Sequence, residues 1–219
     1  MFKGLFFYPF GKRAQRFALA FLSVLAGFSV GARFAHAGAQ QYEPLSASVR
    51  TAMAAAIVDQ TPPEPKFESV EQKIDWLEFA AQKLPRKWKP EYRERVEFLL
   101  TLRYEAQRAG LDPELILGLV EVESYFRRYA VSSAGARGYT QVMPFWTREL
   151  SDGDAAKLFN IRINLRYGCT ILRHYLDIEK GDYFRALGRY NGSLGRAEYP
   201  NAVRAAWRKW QMPKKVAGE

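Results

Sequence analysis

Cysteine is nearly absent from this sequence of 219 residues: Cys169 stands alone. An internal disulfide is excluded, and a single thiol supports no zinc site. Its neighbours Tyr167, Gly168, Ile171 and Leu172 predict a small buried residue on a helix rather than a reactive nucleophile. No stretch alternates convincingly as a strand, and there is no internal repeat. No acidic residue occurs in residues 1–37, and none lies between Ser124 and Thr147. No metal and no cofactor is expected.

What is present can build a core. Apolar residues make up 48% of the chain and aromatics 15%, enough for one domain of ordinary size with chain left over. The formal net charge is +10, but five of the 33 Lys and Arg residues fall in 1–37. Beyond them stand 28 basic and 23 acidic residues, a net of +5. Such a charge steers anionic partners without choosing among nucleic acid, anionic lipid and an anionic polysaccharide.

The amino-terminal segment narrows that choice. Residues 1–16 carry four basic residues, and 17–32, FALAFLSVLAGFSVGA, form an uncharged apolar run. Ala35-His36-Ala37 then matches an A-x-A cleavage pattern, which places a cut before Gly38. The run has 16 residues, fewer than the roughly 20 that a spanning helix requires. Residues 1–37 therefore read as an export signal, with an uncleaved inner-membrane anchor as the alternative. Either way the body of the protein is expected outside the cytoplasm, in the periplasm, and nucleic acid is not an expected partner.

The rest of the chain reads as mostly α-helical. Residues 38–66, rich in Ala, Gln, Ser and Pro, suggest a linker with one short helix around 46–58. Val70, Ile74, Leu77, Ala81 and Leu84 make a helical stripe over 67–84. A further helix runs from about Glu91 to Ala109-Gly110, with Val96, Leu99 and Leu100 on one face. Asp112-Pro113 is a cap followed by a first-turn proline, opening a helix to about Phe126. A loop covers 130–144. Helices follow over about 164–179, from Asp182 through Leu187, and over 201–210 with Val203, Trp207 and Trp210 on one stripe. The expected division is a signal over 1–37, a linker over 38–66, a helical segment over 67–100, the main domain over 101–212 and a tail over 213–219.

Chemistry concentrates at the end of the 113–126 helix. Glu123 shares a face with Ile116, Leu119 and Val120, whereas Glu121 lies with Glu114 and Gly118 on a more polar side. Glu123 therefore points toward the apolar interior, where burial disfavours its charge and raises its pKa. A carboxylic acid kept protonated near neutral pH suits general-acid catalysis. A buried structural glutamate tied to a backbone or arginine partner fits the helix equally well. The loop that follows, SSAGARGYTQVMP over 132–144, has Gly135 and Gly138 for close backbone approach and Gln141 with both a donor and an acceptor. Such a loop suits a sugar bearing N-acetyl groups, though a plain surface loop would use similar residues.

Four blocks in order carry a resemblance. Glu123-Ser124, then Gly135-Ala136-Arg137-Gly138-Tyr139-Thr140-Gln141-Val142-Met143-Pro144, then Asn164-Leu165 with Gly168, then Ala186-Leu187-Gly188-Arg189-Tyr190-Asn191-Gly192 resemble the soluble lytic transglycosylase family over about residues 103–210. Tyr139-Thr140 and Gly192-Ser193-Leu194-Gly195 depart from its pattern; by resemblance both lie in the groove wall. The resemblance implies a lysozyme-like helical fold with a groove for peptidoglycan glycan strands. It implies that Glu123 protonates the oxygen between N-acetylmuramic acid and N-acetylglucosamine, and that the muramic C6 hydroxyl closes a 1,6-anhydro ring. It places Ser132, Gln141, Met143 and Tyr190 around the acid, with Ser124, Gly135, Gly138, Asn164 and Asn191 in support. Met143 also fits a plain core position, and the Tyr190 hydroxyl is expected to orient the acid.

The acid-free stretch after Ser124 bears on mechanism independently. A hydrolase that inverts configuration needs a second carboxylate about 6.5–9.5 Å from the first to activate water. A lysozyme-type hydrolase would have to recruit Glu149 or Asp152. An inactive wall-binding protein is the third reading; retention of Glu123, Gln141 and Tyr190 together speaks against it.

Overall fold

The computed structural model describes residues 40–213 except 60, 62 and 90. The expected export signal and most of the expected tail lie outside the described residues. Eight α-helices carry the described chain, with no strand among them: α1 Ala47–Val58, α2 Val70–Lys83, α3 Tyr92–Arg108, α4 Pro113–Ser124, α5 Phe145–Leu150, α6 Ile161–Ile178, α7 Tyr183–Asn191 and α8 Glu198–Trp210. A 3-10 turn, Ala155–Phe159, precedes α6. The mostly helical reading holds. None of the described helices is long and apolar enough to cross a membrane.

Helix α4 organises the rest. The Asp112 carboxylate accepts the Glu114 N–H at 2.8 Å, and Pro113 takes the first turn, where its missing N–H costs nothing. The helix stops at Ser124, two residues before the predicted end, because Tyr125 and Phe126 both adopt left-handed backbone with φ of 50° and 61°. Leu115, Ile116, Leu117, Leu119 and Val120 are all fully buried. Side chains on successive positions cover every direction around the axis, so α4 has packed neighbours on all sides. Burying each of these five stabilises the fold by about 1.5–3 kcal/mol.

The face expected to be polar is in fact the seam with α8. At Gly118 an added Cβ would stand 2.6 Å from the Trp207 nitrogen and 3.0 Å from its Cα, so the two backbones touch there. Glu121, on the same face, accepts the Trp210 indole N–H at 2.7 Å and pairs with Lys209. Glu114 accepts the Trp76 indole N–H at 2.5 Å. The carboxylates on this face thus receive donors from α2 and α8.

Other expectations shift in detail. In α2 Val70 and Ile74 are exposed, and the buried stripe is Trp76, Leu77, Ala80 and Ala81. In α3 the buried apolar positions are Phe98, Leu99, Leu102 and Ala106, with Val96 and Leu100 only partly covered. Helix α7 extends to Asn191 rather than Leu187, ending where Gly192 turns left-handed at φ 70°. Helix α1, inside the stretch read as a linker, buries Met53 and Ile57 against the core. Cys169 is buried, as expected.

One buried charge ties α3 to α6. Glu105 is fully buried and receives Arg166 at 2.9 and 3.2 Å, Arg108 at 3.0 Å and Arg162 at 3.2 Å. A carboxylate out of water needs such a full set of donors.

The Gly118 contact yields a test of the packing. Gly118→Ala forces the α4 and α8 backbones apart and is expected to destabilise the domain by about 1–3 kcal/mol, as overpacking generally does. Equilibrium denaturation measures it; a midpoint equal to that of the parent would contradict the close contact.

Candidate active site

Glu123 stands on the last turn of α4, partly exposed, with its carboxyl at the edge of the packed core. Burial raises its pKa from the usual carboxylate range to about 8. The Tyr199 hydroxyl donates to Glu123 Oε1 at 2.5 Å and pulls in the opposite direction. Burial and that one hydrogen bond account for the shift, and no other carboxylate contributes to it. At neutral pH the acid therefore holds its proton. Tyr199 occupies Oε1, which leaves the second oxygen for a ligand.

Tyr190 is buried on α7, close enough for the Glu123 charge to act on its ionisation. Its hydroxyl does not orient the acid as expected. It donates instead to the Thr140 carbonyl at 2.7 Å and so fixes the loop beside the acid. The residue that touches Glu123 is Tyr199, which the sequence reading passed over. It sits on the first turn of α8, outside the helix as predicted from Asn201. A signal was available: Tyr199-Pro200 fits a first helical turn, where proline is tolerated. No side chain caps that end, however, so Glu198 in the first turn is the only acidic start signal of α8.

The 130–144 loop is held from within and from below. Within it, single antiparallel bridges join Val131 to Arg137 and Arg137 to Val142. Ser132 Oγ accepts the Ala136 N–H at 3.0 Å, and the Ser132 carbonyl accepts the Gly135 N–H at 2.9 Å. The Gln141 side-chain amide donates to the carbonyls of Gly138 at 2.9 Å and Ala130 at 3.2 Å, and its own backbone is left-handed at φ 50°. Both Gln141 donors are spent on the loop itself. From below, Asn164 on α6 accepts the Thr140 N–H at 2.8 Å and donates to the carbonyls of Arg137 and Leu158 at 2.9 Å each. Gly138, at φ 76°, leaves room for that amide: a side chain there would collide with Asn164 and the Leu158 carbonyl.

Tyr139 and Thr140 are therefore not wall residues. Both are buried beneath the loop: Thr140 against Asn164 and Gly168, Tyr139 against Phe98 with Lys89 donating to its hydroxyl at 2.5 Å. Ser124 is buried and closes back onto the Val120 carbonyl at 3.2 Å. Met143 is partly buried against the core. Asn191 is buried at the end of α7, its Nδ2 without a partner among the described residues. A second perturbed acid, Glu114, lies at the other end of α4. Burial and Asp112 raise it to about 7, and Trp76 and Arg103 surround it, well away from the loop.

One partly exposed neutral acid, one tyrosine aimed at it and a loop pinned beside it are now in place. Residues 101–212 match the model of the transglycosylase SLT domain. The chain belongs to the transglycosylase SLT domain family. Among curated proteins it is similar to the membrane-bound lytic murein transglycosylase C of Actinobacillus pleuropneumoniae serotype 5b (strain L20), with 39% identity over 99 residues, 42% of this chain and 26% of that protein. It is also similar to proteins of the same name from Haemophilus influenzae (strain PittEE), 48% over 48 residues, and Glaesserella parasuis serovar 5 (strain SH0165), 51% over 47 residues. Each of these two matches takes in 22% of this chain and 13% of the relative. The chain thus spans about a quarter of the length of the first relative and less of the other two.

The acid's environment gives a direct expectation. Tyr199→Phe removes the one contact that favours the charged carboxylate, so the Glu123 midpoint should rise further above about 8. Carboxyl-carbon NMR titration of the parent and the variant checks this, and a downward shift would reverse the assigned role of the hydroxyl.

Proposed function

We propose that this SLT domain cleaves peptidoglycan glycan strands as a lytic transglycosylase, with Glu123 as the only acid–base group. The observation that carries the reading is a carboxyl raised to about 8 by burial, held by one tyrosine, with no second carboxylate acting on it. Its proton passes to the oxygen linking N-acetylmuramic acid to N-acetylglucosamine as the C1–O bond breaks. The 2-acetamido group of the muramic residue stabilises the positive charge that develops at C1. The Glu123 carboxylate so formed takes the proton of the muramic C6 hydroxyl, and the C6 oxygen closes onto C1. No water is consumed, and the acid ends protonated as it began. Tyr199 supplies a donor while the carboxylate is charged.

Gln141, Met143, Ser132 and Tyr190 are assigned to the glycan side of the loop and its support, and Asn164 to holding the loop in register. A hydrolase would need a partner carboxylate for water. Glu149 is 3.4 Å from Arg50 of α1, and Asp152 pairs with Lys157; neither acts on Glu123. The lytic reading needs neither. We further assign residues 1–37 to export, which brings the domain to its substrate in the periplasm.

Glu123→Gln tests the assignment. The amide keeps the shape and accepts the Tyr199 hydroxyl but cannot deliver a proton, so turnover of purified peptidoglycan should fall by roughly 10²–10⁴ or more. The fold should survive, because an uncharged group already occupies the site. Glu121→Gln makes the identical chemical change on the α8 seam and retains an oxygen for the Trp210 indole; its turnover should stay within a few-fold of the parent. A folded Glu123→Gln protein with most of its activity would sink the assignment.

A further inference from the structure

We propose that residues 40–45 form a built-in strap that occupies the loop beside Glu123 and must be displaced before a glycan can bind. The inference rests on the reading of that loop as one wall of the glycan site. Its starting point is Gln40, a polar residue only 3% exposed. Its side-chain oxygen accepts the Met143 N–H at 3.1 Å, and its side-chain nitrogen donates to the Gln141 carbonyl at 3.5 Å. One carboxamide thus reads a backbone donor and a backbone acceptor two residues apart, in the manner of a strand pairing along an edge. An acetamido group of a sugar carries the same N–H and C=O pair. The two ligands are chemical equivalents for that backbone, and only one fits at a time.

The contact is linked to the acid through the loop and α7. Thr140, next to Gln141, receives the Tyr190 hydroxyl, and Tyr190 feels the Glu123 charge. The strap is also held loosely. Among the described residues no backbone–backbone hydrogen bond joins 40–45 to the domain. Among the described residues its outer part has, apart from Gln40, the half-exposed Tyr42 ring against Phe145 at 5.6 Å and the Glu43–Arg189 ion pair at 3.0 Å. Contacts of this kind, near solvent, are weak. Leu45 packs on the core and α1 begins at Ala47, so the root of the strap stays fixed while its outer part can lift. A site open only part of the time binds its ligand more weakly by the fraction open.

Gln40→Ala in the full chain provides the test. With isolated glycan strands, KM should fall about two- to tenfold, the range for releasing one or two side-chain hydrogen bonds, and kcat should not change. Glu43→Ala should shift KM in the same direction by less. An unchanged or raised KM in Gln40→Ala overturns the strap and makes Gln40 part of the wall. Should neither parent nor variant cleave, the function proposed above fails, and the strap is read by calorimetric titration with the N-acetylglucosamine tetramer. Tighter binding to Gln40→Ala by the same factor supports it; equal or weaker binding overturns it.

Discussion

Helix α4 has no solvent-facing side from Leu115 to Val120, and much of the architecture follows from enclosing it. A helix buried all round needs neighbours in every direction, and α8 reaches it only because residue 118 is glycine. That approach carries Tyr199, on the first turn of α8, onto the carboxyl of Glu123. The same burial raises the acid's pKa. Packing and proton affinity are therefore one constraint seen twice: the tighter the enclosure of the α4 terminus, the more firmly Glu123 keeps its proton.

The loop beside the acid poses a different problem. It has almost no regular structure, yet its backbone groups lie partly under cover and need partners. Asn164 answers most of that need from below with its Thr140, Arg137 and Leu158 contacts, and Gln141 and Ser132 close the remainder within the loop. The Tyr190 hydroxyl adds a tie from α7. Side chains expected to contact sugar thus spend much of their hydrogen-bonding capacity on shaping the loop.

How much of this could be read from sequence depended on whether a local polar signal marked each feature. The Asp112-Pro113 start of α4 was legible because cap and proline sit side by side, and the placement of Glu123 on the face of Ile116, Leu119 and Val120 followed from its spacing, though not its role. The same spacing put Glu121 on a polar face, wrongly, because periodicity reports which residues are apolar and not what packs against the rest. The start of α8 has no capping side chain, so Tyr199 fell outside the helix and its role went unseen. Helix α5 is six residues long without a side-chain cap, too short for a periodic pattern. Tyr139 and Thr140 looked like wall residues from their place in the motif; only the fold shows Asn164 and Gly168 covering Thr140 from behind.

If Glu123 is the sole acid–base group and the nucleophile comes from the sugar, water should leave no trace in the product. Digestion of purified peptidoglycan in water enriched in oxygen-18, followed by mass spectrometry of the released muropeptides, tests this most directly. The expected products are 1,6-anhydro-N-acetylmuramic ends, lighter than hydrolysis products by one water and free of label. Reducing ends carrying oxygen-18 would contradict the single-acid account.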